Sequence, residues 1–140
     1  LGADFVFPES YVMTPEFKRL TSDLPKPKLG INCVGGDSAA NLSRTLAKGA
    51  HLVTYGSTSR NAVTVPTSVL VSKDITMRGF SYESWAASKS FVEREAMIKE
   101  LVDEVTSGRL QVTETSDFSF GDFQKALKAA LEGHYSHLCG

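Results

Sequence analysis

The chain has 140 residues, 41% of them hydrophobic and 22% charged, with 15 basic against 16 acidic side chains and a formal net charge of -1. That length and balance suit one ordinary globular domain. They exclude a basic nucleic-acid-binding surface, and no apolar run approaches the roughly 20 residues needed to cross a bilayer.

No secretory pattern of positive n-region and apolar core opens the chain, and its Leu1-Gly2-Ala3 start suggests a processed or shortened protein. Phe5-Val6-Phe7, closed by Pro8, reads as a brief strand. Thr14-Pro15-Glu16-Phe17 is a strong helix start: a capping hydroxyl, a proline at the first position and an acid beside the positive helix end. That helix should stop before Pro25, and Lys26-Pro27-Lys28 forms a polar connector.

Leu29 to Val34 reads as a second strand, ended by Gly35-Gly36. Asp37 or Ser38 then caps a helix that buries Ala39, Leu42 and Leu46 and is closed by Gly49. His51 to Tyr55 is a third strand, ended by Gly56. A short helix after Pro66 should bury Val69 and Leu70. Ile75 to Phe80 is a fourth strand.

Ser90 and Glu93 have capping-box spacing, and behind them runs the longest helix. One of its faces carries Phe91, Ile98, Leu101 or Val102, and Val105, and Gly108 ends it. Val112 and Phe118 are assigned to short strands. A last helix should bury Phe123, Leu127 and Leu131 and end at Gly133. The alternation of strands and helices predicts an α/β fold with a mostly parallel sheet, whose early strands are covered on both faces.

In such sheets ligands bind beyond the carboxyl ends of the strands. Three of these ends carry glycine: Val34-Gly35-Gly36, Tyr55-Gly56-Ser57 and Gly79-Phe80-Ser81. Each glycine either admits a ligand close to backbone or simply makes a tight turn. Phe80, Tyr82 and Trp85 are either core and rim, or a wall for a flat ring or an acyl chain. Neither a GxGxxG nor a GxxxxGK[ST] phosphate loop is present, nor is the Gly-x-Ser-x-Gly elbow of a hydrolase. His51, His134 and His137 are scattered, and Cys33 and Cys139 lack the paired spacing of a zinc site, so no bound metal is expected. Cys33 reads as a small hydrophobe at a strand end.

Leu29-Gly30-Ile31-Asn32-Cys33-Val34-Gly35-Gly36, Leu52-Val53-Thr54-Tyr55-Gly56, Lys73-Asp74 and Arg78-Gly79-Phe80, with the opening Leu1-Gly2-Ala3-Asp4, carry a resemblance. Together they resemble the mitochondrial 2-enoyl thioester reductases, on the zinc-free side of the medium-chain dehydrogenase/reductase superfamily. The resemblance runs to about residue 132. It implies residues 1–132 as a partial dinucleotide-binding domain with a C-terminal helical segment, and 133–140 as a tail. The fold class so implied is α/β: the C-terminal portion of a Rossmann-type doubly wound parallel sheet, lacking its first two strands.

The resemblance further implies a mitochondrial, NADPH-dependent reductase of the 2,3 double bond of enoyl thioesters, active in fatty-acid synthesis. Cofactor contact carries over to Tyr55, Gly56, Ser57 and Thr58, and to Phe80, Ser81 and Tyr82. Because Ser57-Thr58 stands where relatives often have Gly-Met, contact there is expected through backbone. The family's proton-donating tyrosine has no counterpart in this chain. Nothing carries over to the tail from Tyr135 to Gly140, which departs from the usual ending. No catalytic residue is therefore assigned, and the chain alone is expected to be inactive.

In the usual strand order 3-2-1-4-5-6, the chain resembles strands 3 to 6, so Phe5-Val6-Phe7 should find no neighbour within it. The last strand, Ile75 to Phe80, would be a sheet edge that pairs across a twofold axis into a homodimer. The alternatives are a quinone-reducing relative of the same superfamily and a non-catalytic α/β binding module.

Overall fold

The computed structural model describes residues 3–111 and 117–132. Among these residues three strands form one sheet in the order β1-β2-β3, where β1 is Leu29–Asn32, β2 is His51–Thr54 and β3 is Thr76–Gly79. Both pairings are parallel. Leu29 stands opposite His51, and Asn32 opposite Thr54; His51 stands opposite Thr76, and Thr54 opposite Gly79. The chain divides into two compact units, one of Val6–Arg94 and one of Leu1–Phe5 with Glu95–Gly140.

The first unit holds the sheet. Its helix α1 (Pro15–Leu20) starts where the local signals place it, with the Thr14 hydroxyl accepting the Phe17 N–H at 3.2 Å. Phe5-Val6-Phe7 forms no strand and does not pair with Ile31. Phe7 instead stacks on Tyr11 and meets Phe17 edge-on, with ring centroids 5.6 and 5.2 Å apart. Aromatic packing takes the place of the expected strand.

Helix α2 (Gly36–Thr45) begins earlier than Asp37 or Ser38 would start it, with Gly35 at the capping position. It also ends before Gly49, at Thr45. The ammonium of Lys73 donates to the carbonyls of Arg44 and Leu46 at 2.6 and 2.8 Å. A cation thus satisfies the carbonyls that a helix end leaves open. Gly49 turns the chain four residues after Thr45, where its N–H meets the Lys73 carbonyl at 2.6 Å. Lys73 lies at the end of α3 (Thr67–Lys73), so both ends of this residue tie α3 to the α2–β2 connection.

Leu46, Ala50, Leu52, Val69 and Ile75 form the buried core, with Leu42, Val65 and Leu70 packed against it. Only one face of the sheet enters that core. Along β1, Gly30 and Asn32 are buried, while Leu29 and Ile31 are 54% and 63% exposed. The expectation of two covered faces therefore fails for β1: its apolar residues point to both sides, and the described residues bury one.

Helix α4 (Tyr82–Ser88) follows β3 where no helix was expected. Ser81 caps it by accepting the Ser84 N–H at 3.2 Å. The longest helix, α5 (Phe91–Thr106), is capped as its spacing predicts. Ser90 Oγ accepts the Glu93 N–H at 3.3 Å, and the Glu93 carboxylate accepts the Ser90 N–H at 3.0 Å.

In the second unit α5 continues to Thr106, Gly108 follows, and α6 spans Phe123–Glu132. Phe118 lies in irregular chain before a short 3-10 turn at Phe120–Asp122, rather than in a strand. Phe91, Ile98, Leu101, Val102 and Val105 of α5 are exposed, as are Phe123, Leu127 and Leu131 of α6, so the expected apolar stripes exist but stay uncovered. Val112, Gly133, His134, His137, Cys139 and the 133–140 tail lie outside the described residues.

The α5 cap makes a pH prediction. The Glu93 carboxyl is lowered from its ordinary 4.5 to about 2, first by the Lys89 ammonium, then by the Ser90 N–H and hydroxyl. A depressed carboxyl stabilises fully above its unfolded value and loses that contribution as pH falls toward the folded one. The start of α5 should thus hold at pH 5 and loosen between about pH 4.5 and 2. A carboxyl NMR titration of Glu93 should find its midpoint near 2, and Ser90→Ala should raise it.

Candidate functional site

The carboxyl ends of the three strands meet within the Val6–Arg94 unit, and one side chain organises them. Asn32, the last residue of β1, is 3% exposed. Its Oδ1 accepts the N–H groups of Val34 and Gly35 at 3.2 and 3.1 Å. Its Nδ2 donates to the Thr54 hydroxyl of β2 at 3.1 Å. The chain therefore turns sharply beyond β1, and the turn is tied to the neighbouring strand.

The loop after β2 folds back over that turn. Thr58 N–H donates to the Cys33 carbonyl at 3.0 Å, and Ser59 N–H to the Val34 carbonyl at 3.1 Å. Ser59 Oγ donates to the same Val34 oxygen at 2.6 Å. Gly36 N–H donates to the Ala62 carbonyl at 3.0 Å, and Gly36 forms a parallel bridge with Val63. Gly35 has φ of 87°, and a Cβ there would stand 2.7 Å from the Asn61 carbonyl oxygen. The glycines at 35 and 36 thus admit the protein's own loop. Gly56 is also close to protein, since a Cβ there would lie 3.3 Å from the Cys33 carbonyl.

Gly79 differs: outside its two chain neighbours, no described residue comes within 4 Å of where its Cβ would be. It borders a shallow hollow of about 230 Å³, lined by Thr54, Val63, Met77, Arg78 and Gly79. None of the seven sequence-derived residues lines this hollow. Tyr55 to Thr58 leave β2, and Phe80 to Tyr82 leave β3, where the Phe80 N–H still donates to the Thr54 carbonyl at 2.9 Å.

The seven sequence-derived residues fall into these two segments. The Ser57 and Thr58 hydroxyls are occupied by the Asn61 and Cys33 carbonyls, both at 3.4 Å. The Ser81 hydroxyl donates to Glu83 at 2.9 Å while it caps α4. The Glu83 carboxyl sits below the ordinary carboxylate range because its own backbone N–H and then Ser81 hold its charged form. Tyr55, Phe80 and Tyr82 are exposed, and Tyr82 stacks on half-buried Trp85 with ring centroids 6.0 Å apart. Asn32 and Ser59, which build the site's frame, were not singled out from the sequence. The available signal was a polar residue inside an apolar strand run.

A parallel β1-β2-β3 sheet with open ground beyond its carboxyl ends matches the C-terminal portion of a Rossmann-type doubly wound sheet. A family model described as zinc-binding dehydrogenase matches residues 1–135, and the chain belongs to this family. It is similar to the mitochondrial enoyl-[acyl-carrier-protein] reductases of Dictyostelium discoideum and Mus musculus. The identities are 42% over 135 residues and 39% over 132, covering 96% and 94% of this chain. The chain spans 38% and 35% of those two proteins.

Among solved structures, the Etr1p/Etr2p heterodimer of the mitochondrial 2-enoyl thioester reductase from Candida tropicalis matches with a TM-score of 0.81. It is 23% identical, covering 94% of this chain and 39% of that one. The Etr1p/NADP/crotonyl-CoA complex matches at 0.71 with 22% identity, over 89% and 37% of the two chains. A putative NADPH:quinone reductase from Bacillus thuringiensis matches at 0.78 with 19% identity, over 96% and 40%.

Zinc, which the family's description names, does not fit the described residues. No group of three or more His, Cys, Asp or Glu there could hold a metal ion. Cys33 and His51 stand at opposite ends of the sheet, since one follows β1 and the other begins β2 in parallel strands.

Asn32→Ala should cost about 2–3 kcal/mol, because it leaves two N–H groups at a buried turn unsatisfied. Urea unfolding measures the loss, and amide exchange of residues 57–63 should quicken along with it.

Proposed function

We propose that this chain forms the nicotinamide side of the cofactor domain, within residues 1–132, of an NADPH-dependent reductase of the 2,3 double bond of enoyl thioesters. The whole protein would serve mitochondrial fatty-acid synthesis. The observation that carries the reading is its 42% identity to a mitochondrial enoyl-[acyl-carrier-protein] reductase across 96% of the chain. The NADP and crotonyl-CoA of the Etr1p complex support the choice of cofactor and substrate class.

The carboxyl edge of the sheet fits such a cofactor. The segments 32–36, 54–66 and 77–82 contain no carboxylate, and open ground lies beside Gly79. When bound, NADPH supplies the hydride. This chain's own part is to hold the nicotinamide in place and keep water away from it. Tyr55, Gly56, Ser57 and Thr58 would do so mainly through backbone, because both hydroxyls already have carbonyl partners. Phe80 and Tyr82 would offer ring surface, and Ser81 fixes where α4 begins. The pyrophosphate usually rests on a GxGxxG turn at a helix N-terminus, a pattern this sequence lacks. The proton donor also lies elsewhere in the whole protein, so no residue here takes a catalytic role.

The test adds NADPH and a trans-2-enoyl thioester to the full-length protein and to the 140-residue chain, and follows loss of cofactor absorbance. The full-length protein should turn over and the chain should not; comparable rates from both would refute the assignment. The quinone-reductase fold match favours a second reading, so a quinone belongs in the same assay. Faster quinone reduction would replace the enoyl assignment.

The whole protein would also self-associate. β3 ends the sheet order, and an open strand edge is a template for pairing with a second copy. Light scattering of the full-length protein should give a dimer mass, and a monomer at high concentration counts against this.

A further inference from the structure

Two non-glycine residues in the described chain have left-handed backbones: Asp74, with φ of 52°, and Arg60, with φ of 58°. Asp74 has a local cause. It follows α3, and its N–H closes the helix on the Leu70 carbonyl at 3.0 Å, a common place for this conformation. Arg60 ends no helix. It lies in the loop that covers the β1 turn, where its N–H meets the Ser57 carbonyl at 3.0 Å.

That loop is fastened on both sides of Arg60. Thr58 and Ser59 bond to Cys33 and Val34 before it, and Ala62 accepts the Gly36 N–H after it. The reversal at position 60 is therefore imposed by anchors on either side. Glycine would make it without a Cβ in conflict, and arginine makes it at a cost. No side-chain contact adds to those anchors: the Arg60 side chain is exposed and forms no hydrogen bond or ion pair with any described residue.

Charge gives a second, independent observation. The three segments at the carboxyl edge carry Arg60 and Arg78 and neither Asp nor Glu. Arg78 lines the hollow beside Gly79, as does Val63 at the end of the Arg60 loop. The first carboxylates beyond these segments are Asp37 and Glu83, and Glu83 is already engaged by Ser81. A guanidinium carried on an anchored loop at a cationic edge matches a phosphate group in charge and hydrogen-bonding geometry.

We propose that Arg60 binds a phosphate group of the ligand held at this edge. This rests on the reductase reading, which brings two phosphate bearers: the dinucleotide and the carrier of the enoyl thioester. In the full-length protein, NADPH and coenzyme A are titrated calorimetrically into wild type, Arg60→Gly and Arg60→Asn. Turnover is followed with crotonyl-CoA and with crotonyl-N-acetylcysteamine, which has no phosphate.

Both variants relieve the left-handed conformation, so both should raise the melting temperature while weakening one ligand about tenfold. Weaker NADPH binding assigns the phosphate to the dinucleotide. Weaker coenzyme A binding, with an unchanged KM for the phosphate-free thioester, assigns it to the carrier. Unchanged affinity for both overturns the proposal. Affinity is read without turnover, so a protein that binds both ligands but reduces neither thioester sinks the reductase reading while Arg60 is still decided by binding.

Discussion

The carboxyl edge of this sheet depends on one buried amide. Asn32 spends its oxygen on the two N–H groups of the turn that follows it and its nitrogen on Thr54 of the next strand. A buried polar side chain is costly unless it is satisfied, and a satisfied one admits few alternative arrangements. Here it decides where β1 ends, where Cys33 and Val34 present their carbonyls, and so where Thr58 and Ser59 can dock. The apolar core beneath, from Leu46 and Leu52 to Val69 and Ile75, holds the layers together without specifying that edge.

This arrangement changes what the glycines at the strand ends mean. All three allow close approach, but two are approached by protein. Gly35 faces the Asn61 carbonyl and Gly56 the Cys33 carbonyl, whereas Gly79 opens on a hollow. The ground available to a ligand therefore shifts toward the β2–β3 side. Tyr55 and Phe80 leave their strands there, and Arg78 contributes a cation.

Features with a local cause were legible in the sequence. Thr14-Pro15 and the Ser90–Glu93 box each place their own hydrogen bonds within four residues, and both helices start as read. The parallel α/β character followed from alternation over long stretches. The start of α2 was missed because its cause is distant: Gly35 takes the cap position in a turn shaped by Asn32 and closed by Asn61. Helix α4 was missed although Ser81 and Ser84 had the right spacing, because seven residues show too little periodicity to stand out. For α5 and α6 the pattern identified an apolar face, but a pattern cannot say what covers it. At the site, the glycine-ended segments were readable, whereas Asn32 and Arg60 matter through contacts and backbone angles that no spacing reveals.

The anchoring of residues 57–63 also bears on how this stretch of sequence can vary. A surface connection usually tolerates insertion and deletion, as the polar run before β1 should. The segment beyond β2 is fixed to the β1 turn at Cys33, Val34 and Gly36, and each anchor sits at a set number of residues from the strand. Adding or removing one residue would put every later anchor out of step, so the segment is constrained in length as a strand is in register. Its composition can drift more freely than its length, since most of its bonds to the β1 turn are made by backbone groups.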